Sequence, residues 1–349
     1  MKNNHILNHF KGKKILVTGG TGSIGRAIVK RLLEFSPQVI RIFDISENQL
    51  FFLEQVLKDH KNVRFLVGDI RDKERLHRSA EDIDIIFHTA ALKHVPLCEE
   101  NPFEAAKTNV FGTQNVIDVA LEQNVSQMVH ISTDKVVNAI NTLGASKLLS
   151  EKLVISAQNY VGKKKTVFSC VRFGNVIGSR GSLMDLISQQ LQSNQKPFIT
   201  DVRMTRFLLT ESQASDFILR ACALNSGGKI FVPKMPAIRV IDLIQATIEE
   251  LSALYSTKNA APEETGMRMG EKLNEELMTD FEFQRCQETE GMYVIPGNLS
   301  TAKVIPKAEI NLSSEHAKKL SYQDVRRIVV QCINDDKKLF IESKTKFRK

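Results

Sequence analysis

The sequence predicts an α/β protein, a doubly wound parallel sheet with helices on both faces and a smaller C-terminal lobe. Three observations predict it. Short apolar runs alternate with segments of helical period through the first half of the chain. A glycine-rich turn joins the first apolar run to an amphipathic helix. After about residue 175 the rhythm changes and helical patterns dominate.

Strands are expected over 14–18, 39–43, 63–67, 83–88, 127–132 and 166–173, with helices near 23–35, 47–59, 72–80, 101–123 and 144–160. Such alternation argues for a parallel sheet buried on both faces, and six strands suit a Rossmann-like dinucleotide fold. Further helices are expected near 181–193, 211–225 and 239–256, with short strands at 229–232 and 292–295. The stretch 256–265 reads as a loop. The division expected is a dinucleotide-binding part over 12–175, a mainly substrate-binding lobe over 176–335 with an interleaved boundary, and a basic tail over 336–349 that is solvated or disordered.

The 349 residues suffice for a large core, and 42% hydrophobic with 25% charged residues is ordinary for a globular protein. No apolar run reaches the length of a membrane span, and the polar start Met1-Lys2-Asn3-Asn4-His5 carries no signal core. The five cysteines, at 98, 170, 222, 286 and 332, form no close pair. Reduced buried thiols, a cytoplasmic location and no metal site are expected. The net charge of +8 comes without basic and aromatic interleaving, so nucleic acid is not the expected partner; an anionic small molecule is.

Gly19, Gly22 and Gly25 sit three residues apart in Gly19-Gly20-Thr21-Gly22-Ser23-Ile24-Gly25. A tight turn there brings backbone close to a pyrophosphate, which then rests on a helix N-terminus. Asp44 ends the second strand, placed to accept from a ribose diol and to repel a 2′-phosphate. Ile45-Ser46-Glu47-Asn48 adds no basic residue, which favours NAD, with NADP as the alternative. The bland reading of Asp44 is a helix cap. Gly68-Asp69-Ile70 follows the third strand and would set Asp69 beside the adenine amino group.

The fifth strand ends in Ser132-Thr133-Asp134-Lys135, on the side of the sheet where ligands bind in this architecture. Lys147 follows on the next helix. Read alone, Asp134-Lys135 is a solvated charge pair and Lys147 a solvent-facing helix lysine.

Further motifs change that weighting. They are His88-Thr89-Ala90-Ala91-Leu92-Lys93-His94-Val95-Pro96, Glu104-Ala105-Ala106-Lys107-Thr108-Asn109, Val171-Arg172-Phe173-Gly174-Asn175-Val176-Ile177-Gly178-Ser179-Arg180-Gly181-Ser182, Met204-Thr205-Arg206-Phe207 and Arg268-Met269-Gly270-Glu271-Lys272-Leu273. With the glycine turn and Ser132–Lys135 they cover about residues 12–280. Over that span the chain resembles the nucleotide-sugar 4,6-dehydratases of polysaccharide biosynthesis, within the extended short-chain dehydrogenase/reductases. The best-matched members act on UDP-N-acetylglucosamine.

The resemblance implies a reaction. Hydride leaves sugar C4, the resulting ketone acidifies C5, water is lost across C5 and C6, and the hydride returns to C6, so the cofactor is regenerated. It implies Asp134 as the acid at the C6 hydroxyl, Lys135 as the C5 base and Thr133 as a hydrogen-bond partner of the C4 oxygen, with Lys147 on the nicotinamide ribose. Cofactor contacts are implied for Gly19, Thr21, Gly22, Ser23, Ile24, Gly25, Asp44, Ser46, Asp69, Ile70, Ala90, Ala91, Lys93, Lys147 and Val176. Substrate contacts are implied for Lys93, Asn175, Ser179, Arg180, Arg206, Arg268 and Glu271, the arginines because a planar fork of donors suits a pyrophosphate. Asn109 is expected to order a turn near Lys147, and a homo-oligomer is the default assembly.

One residue departs from the pattern. Many relatives carry tyrosine four residues before the lysine; here Leu143 has no ionisable group. Thr133, Asp134 or a water is expected to cover the C4 proton. Two other functions compete: a 4-epimerase or reductase on the same fold, and a cofactor-binding sensor or scaffold without catalysis.

Overall fold

The computed structural model describes residues 2–224, 226–255, 261–298, 302, 304 and 312–346. The strands in chain order are β1 Lys14–Thr18, β2 Val39–Asp44, β3 Val63–Val67, β4 Ile85–His88, β5 Gln127–Ile131, β6 Val167–Val171, β7 Asn175–Val176, β8 Phe198–Ile199, β9 Thr205–Leu209, β10 Lys229–Pro233, β11 Ala237–Arg239, β12 Glu263–Glu264, β13 Gln287–Thr289 and β14 Met292–Pro296. The helices are α1 Lys2–Phe10, α2 Ser23–Leu33, α3 Glu47–Leu57, α4 Lys73–Ser79, α5 Val95–Glu100, α6 Pro102–Ala105, α7 Thr113–Glu122, α8 Thr142–Ala157, α9 Leu183–Gln192, α10 Glu211–Ala223, α11 Val240–Tyr255, α12 Asp280–Phe283 and α13 Tyr322–Lys346.

The chain divides into two units, and it crosses between them repeatedly. The first holds Met1–Phe173, Ser212–Lys234 and Leu277–Ile310; the second holds Gly174–Glu211, Met235–Glu276 and Asn311–Lys349. Thus two segments from the part expected as the C-terminal lobe, 212–234 and 277–310, return to the sheet-bearing unit.

The first unit is built on a nine-stranded sheet of order β13-β14-β10-β6-β5-β4-β1-β2-β3. Its strands from β3 to β10 are parallel, and β14 and β13 add an antiparallel edge. The inner strands β1, β4, β5 and β6 are buried almost without interruption, as strands covered on both faces must be. The edge strand β3 alternates less cleanly and is partly exposed. The strand order reverses between β1 and β4, which places the ligand crevice at their carboxyl ends.

Several expectations needed correction. The single helix near 101–123 is three pieces, α6, a π-helical stretch Ala106–Gly112 and α7. Helical periodicity does not distinguish the wider π turn. Helix α1 was not foreseen; its Phe10 is fully buried against Phe35 and Phe87. The backbone of the basic tail, expected as a loose end, is helical to Lys346 as the end of α13, and 347–349 lie outside the described residues. In the expected loop 256–265, residues 256–260 lie outside the described residues, while Glu263–Glu264 pairs with β8.

A buried ion cluster ties the 277–310 segment to the sheet. Arg172 at the end of β6 donates to both oxygens of Glu151 on α8 (2.6 and 3.2 Å), both oxygens of Glu282 on α12 (2.9 and 2.9 Å) and the Leu277 carbonyl (3.2 Å). Satisfying the whole guanidinium is what makes so deep a charge tolerable. Thr279 and Glu282 also close a capping box at the start of α12.

The second unit has a three-stranded sheet of order β11-β9-β7 and the β12-β8 pair. Two apolar clusters hold it. One joins Ile177, Met184 and Leu208 to Val325 and Val329 of α13; the other joins Ile187 and Leu191 of α9 to Ile244, Ile248 and Leu251 of α11. Each such side chain, fully buried, contributes about 1.5–3 kcal/mol.

Candidate active site

The glycine turn is set by steric necessity. Gly19 has φ +66°, and a Cβ there would lie 2.6 Å from the backbone of Ala90, so β1 and the loop after β4 touch main chain to main chain. A Cβ on Gly25 would lie 2.4 Å from the Gly19 carbonyl, which lets α2 start directly on the turn. Gly22 is the N-cap of α2 and brings no side-chain cap, and the first turn carries no acidic residue. This is a helix N-terminus shaped for an anion. Thr89 fastens the loop from the other side, its hydroxyl donating to the carbonyls of Thr18 (2.7 Å) and Gly19 (3.1 Å).

Asp44 is buried at the end of β2. One oxygen accepts from the Thr21 N–H (3.0 Å) and hydroxyl (2.7 Å), the other from the Ser46 N–H (3.0 Å). It therefore braces the glycine turn and the start of α3 with the face that would also meet a ribose. Asp69 accepts from the Arg71 N–H (2.9 Å) and Nε (2.7 Å). Partial burial raises its pKa, but the bonds to Arg71 and the charge of Arg71 hold it below the usual carboxylate range. Ile70 is buried beneath Gly112, where a Cβ would come within 2.6 Å of it, so Ile70 packs against the π-helical stretch. Ala90 and Ala91 are half-buried behind the turn, and Lys93 is exposed.

At the end of β5 the chain makes a 3-10 turn, Asp134–Val136, with Thr133 as its cap. Asp134 is fully buried. Its Oδ1 accepts from the Thr133 hydroxyl (2.9 Å) and from Lys135 Nζ (3.0 Å), while Oδ2 has no partner. Ser132 Oγ and His130 Nδ1, on the same stretch, are also buried without partners. Buried polar atoms are nearly always paired, which sets apart the three unpaired ones along residues 130–134.

Helix α8 packs onto this turn. A Cβ on Gly144 would lie 2.3 Å from the Lys135 carbonyl, and Asn141 caps the helix by accepting from the Gly144 N–H (2.7 Å). Lys147, one turn on, is only 6% exposed, which removes the solvent-facing reading. Its Nζ donates to the Ile131 carbonyl (2.5 Å) and lies 3.1 Å from His130 Nε2. Burial lowers its pKa from 10.5 to about 8, although Cys170 and Glu151 act in the other direction. Asn109 orders the neighbouring backbone as expected, accepting from the Leu92 N–H (2.8 Å) and donating to the Leu92 carbonyl (3.2 Å) and Ser146 Oγ (3.0 Å). Leu143 is buried with Cys98 and Ala105 in a small apolar cluster.

In the second unit, Asn175 and Val176 form β7 beside β9, Asn175 exposed and Val176 half-buried. Ser179 and Arg180 follow Gly178, whose φ of +73° turns the chain. Arg206, expected on a pyrophosphate, donates to the carbonyls of Thr205 (2.7 Å), Lys272 (2.8 Å) and Leu273 (2.9 Å), bracing the segment that carries Arg268 and Glu271. Arg268 is exposed and stacks over Phe198 at 4.9 Å, and Glu271 accepts from the Arg268 N–H (3.0 Å) to close their turn. A cavity of about 530 Å³ in this unit, lined by Arg239, Asp242, Glu249 and Tyr322 among others, contains none of the expected site residues.

Residues 15–297 match the polysaccharide biosynthesis protein family. The chain belongs to that family. It is 49% identical, over 93% of its length and 97% of the relative's, to an uncharacterized membrane protein of Methanocaldococcus jannaschii. Among the described residues of the present chain no helix is long and apolar enough to cross a membrane. It is 38% identical to a UDP-N-acetylglucosamine 4,6-dehydratase (inverting) of Campylobacter jejuni, covering 89% of this chain and 91% of that one. A UDP-glucose 4-epimerase of Rickettsia bellii is 35% identical over 92% and 96%. Among solved structures, Pen from Bacillus thuringiensis has a TM-score of 0.88 at 41% identity, covering 93% of this chain and 98% of Pen. DesIV, a dTDP-glucose 4,6-dehydratase of Streptomyces venezuelae solved with NAD, shares the fold at a TM-score of 0.65 and 24% identity over 74% and 86%.

The sequence reading did not single out the buried histidines His88 and His130 or the unpaired Ser132 Oγ beside the end of β5. The available signal was polar side chains inside otherwise apolar strands β4 and β5.

Proposed function

We propose that this member of the family is an NAD-dependent nucleotide-sugar 4,6-dehydratase acting on UDP-N-acetylglucosamine. The observation that carries the reading is Asp134, a fully buried carboxylate with one oxygen bonded to Thr133 and Lys135 and the other unmet. Loss of the C6 hydroxyl with the C5 proton requires an acid and a base side by side, which a simple epimerase does not. The glycine turn fits a dinucleotide, since it leads into the N-terminus of α2, which has no side-chain cap and no acidic residue in its first turn, and Asp44 favours NAD over NADP. Bound there, NAD supplies reversible hydride exchange.

Asp134 directs its unmet oxygen at the C6 hydroxyl and delivers the proton that lets water leave. Lys135 removes the C5 proton; its amine lies 3.0 Å from Oδ1 of the carboxyl group that serves as its acid partner. Thr133 presents its hydroxyl to the C4 oxygen, the step that tyrosine covers in many relatives and that Leu143 leaves open. Lys147 holds the nicotinamide ribose. Lys93, Asn175, Ser179, Arg180, Arg268 and Glu271 are proposed substrate contacts; Arg206 serves by bracing the Arg268 turn. Asp69, Ser46, Ala90, Ala91, Thr21, Ser23, Ile24 and Val176 are proposed to line the cofactor. Cytoplasmic location and assembly as a homo-oligomer complete the proposal.

A second reading, 4-epimerase, is favoured by the Rickettsia relatives. Incubation of the protein with UDP-N-acetylglucosamine and NAD, followed by proton NMR, separates them. A C6 methyl signal and a C4 ketone are expected; a 4-epimer that keeps its C6 hydroxyl would replace this reading with the second.

A further inference from the structure

One row of side chains crosses the sheet beneath α7 and α8. In register, Thr18 of β1 neighbours His88 of β4, which neighbours His130 of β5, which neighbours Cys170 of β6. The two imidazoles are fully buried with ring centroids 5.1 Å apart. They are used differently. His88 has both nitrogens partnered, Nδ1 by Thr18 Oγ1 (2.8 Å) and Nε2 by Thr113 Oγ1 (3.0 Å). His130 uses only Nε2, which faces Lys147 Nζ (3.1 Å) and Ser150 Oγ (3.2 Å), and its Nδ1 is left bare.

A buried polar atom without a partner is unfavourable, a penalty that an apolar residue at position 130 would avoid. His130 is therefore poorly explained as packing. The nearby carboxylate cannot take its place, because both oxygens of Glu151 accept from Arg172. Lys147 is held by neutral acceptors instead, the Ile131 carbonyl and His130. Burial, Lys147 and His88 keep the His130 imidazole neutral, and burial with Lys147 brings His88 to about 3.

We infer that His130 is a positioning residue for Lys147: its Nε2 accepts from the ammonium and, with the Ile131 carbonyl, fixes it at the end of β5 behind Ser132–Lys135. The inference gains its catalytic meaning from the reading of Lys147 as the residue on the nicotinamide ribose. A neutral acceptor holds the amine in place while raising its pKa less than a carboxylate would. The other titratable groups around Lys147 are Glu151 on its own helix, Cys170 on β6 with Arg172 just after that strand, His88 on β4, and Asp134 and Lys135 on the turn packed against α8.

The test is the titration of Lys147 by NMR in protein labelled with [6-13C]lysine, without cofactor or sugar, its signal identified by its absence in Lys147→Met. Because an acceptor favours the charged form, His130→Leu is expected to lower the Lys147 midpoint by about one pH unit. His130→Gln, whose amide oxygen reaches the same place, is expected to restore it, and Ser150→Ala to leave it unlowered. If His130→Leu does not fold, the pair Gln and Asn decides: Gln keeps the midpoint and the shorter Asn lowers it. A midpoint in His130→Leu within roughly 0.3 unit of wild type, or Gln behaving as Leu or Asn does, overturns the inference. The measurement needs no turnover, so it stands apart from whether a dehydrated product forms.

Discussion

The ends of β1 and β5 treat their polar groups in opposite ways. Around the turn that follows β1, the carboxylate of Asp44 at the end of β2 is used on both oxygens by Thr21 and Ser46, and the hydroxyl of Thr89, just after β4, is spent on two carbonyls. After β5, Asp134 Oδ2, Ser132 Oγ and His130 Nδ1 are buried and unmet. The first region is finished by the chain alone and works as a rigid cradle. The second leaves buried polar atoms without a partner, at a cost in stability. Under the proposed function, cofactor binding falls to the satisfied region and the chemistry to the unsatisfied one.

Asp134→Asn strikes the unsatisfied end and is expected to have the largest effect. It keeps the acceptor bonded to Thr133 and Lys135 and removes the acid, so kcat should fall about 10²–10⁴-fold with little change in melting temperature. An equal loss from Asp134→Asn and from a surface change such as Asp82→Asn would erase the distinction between the two ends. Gly19→Ala strikes the satisfied end. The side chain must adopt φ +66° and meet the Ala90 backbone at 2.6 Å, so urea denaturation should show a loss of at least about 2 kcal/mol along with weakened NAD binding.

Lys147→Met sharpens the comparison through pH. The folded pKa of about 8 lies below the ordinary 10.5, so below pH 8 folding forces a charge into a buried site, and stability rises between 8 and 10.5 as the unfolded chain holds the extra proton. The methionine variant should therefore be more stable than wild type at pH 7 by roughly 1–2 kcal/mol, after the loss of two hydrogen bonds, and the gain should fade above pH 10.5. Melting curves at pH 7 and 10.5 give the answer, and a variant less stable at pH 7 would show that Lys147 is structural.

Much of the first region was legible in the sequence because backbone geometry dictates it. Gly19 combines a positive φ with a main-chain approach that leaves no room for a Cβ, so the turn announces itself, and β1 and β3 lie where the apolar runs place them. Long-range returns were not legible. Nothing local in 277–310 says that Glu282 will meet Arg172, or that β14 will pair with β10. Arg206 could not be told from Arg268 by residue type; carbonyls brought from 272–273 by the fold made it a brace. Asp134 and Lys135 were visible as a pair, but the unmet oxygen depends on burial, which adjacency does not reveal. His130 was hidden because an isolated histidine in an apolar strand reads as core.

The central claim is that the β5 end performs an acid–base elimination on a nucleotide sugar. Turnover of UDP-N-acetylglucosamine with NAD in deuterated water, read by NMR at C5 and C6, tests it most directly. The expected product is a 4-keto-6-deoxy sugar carrying deuterium at C5, because the base exchanges that proton with solvent. A product that retains its C6 hydroxyl and has no deuterium at C5 would contradict the claim.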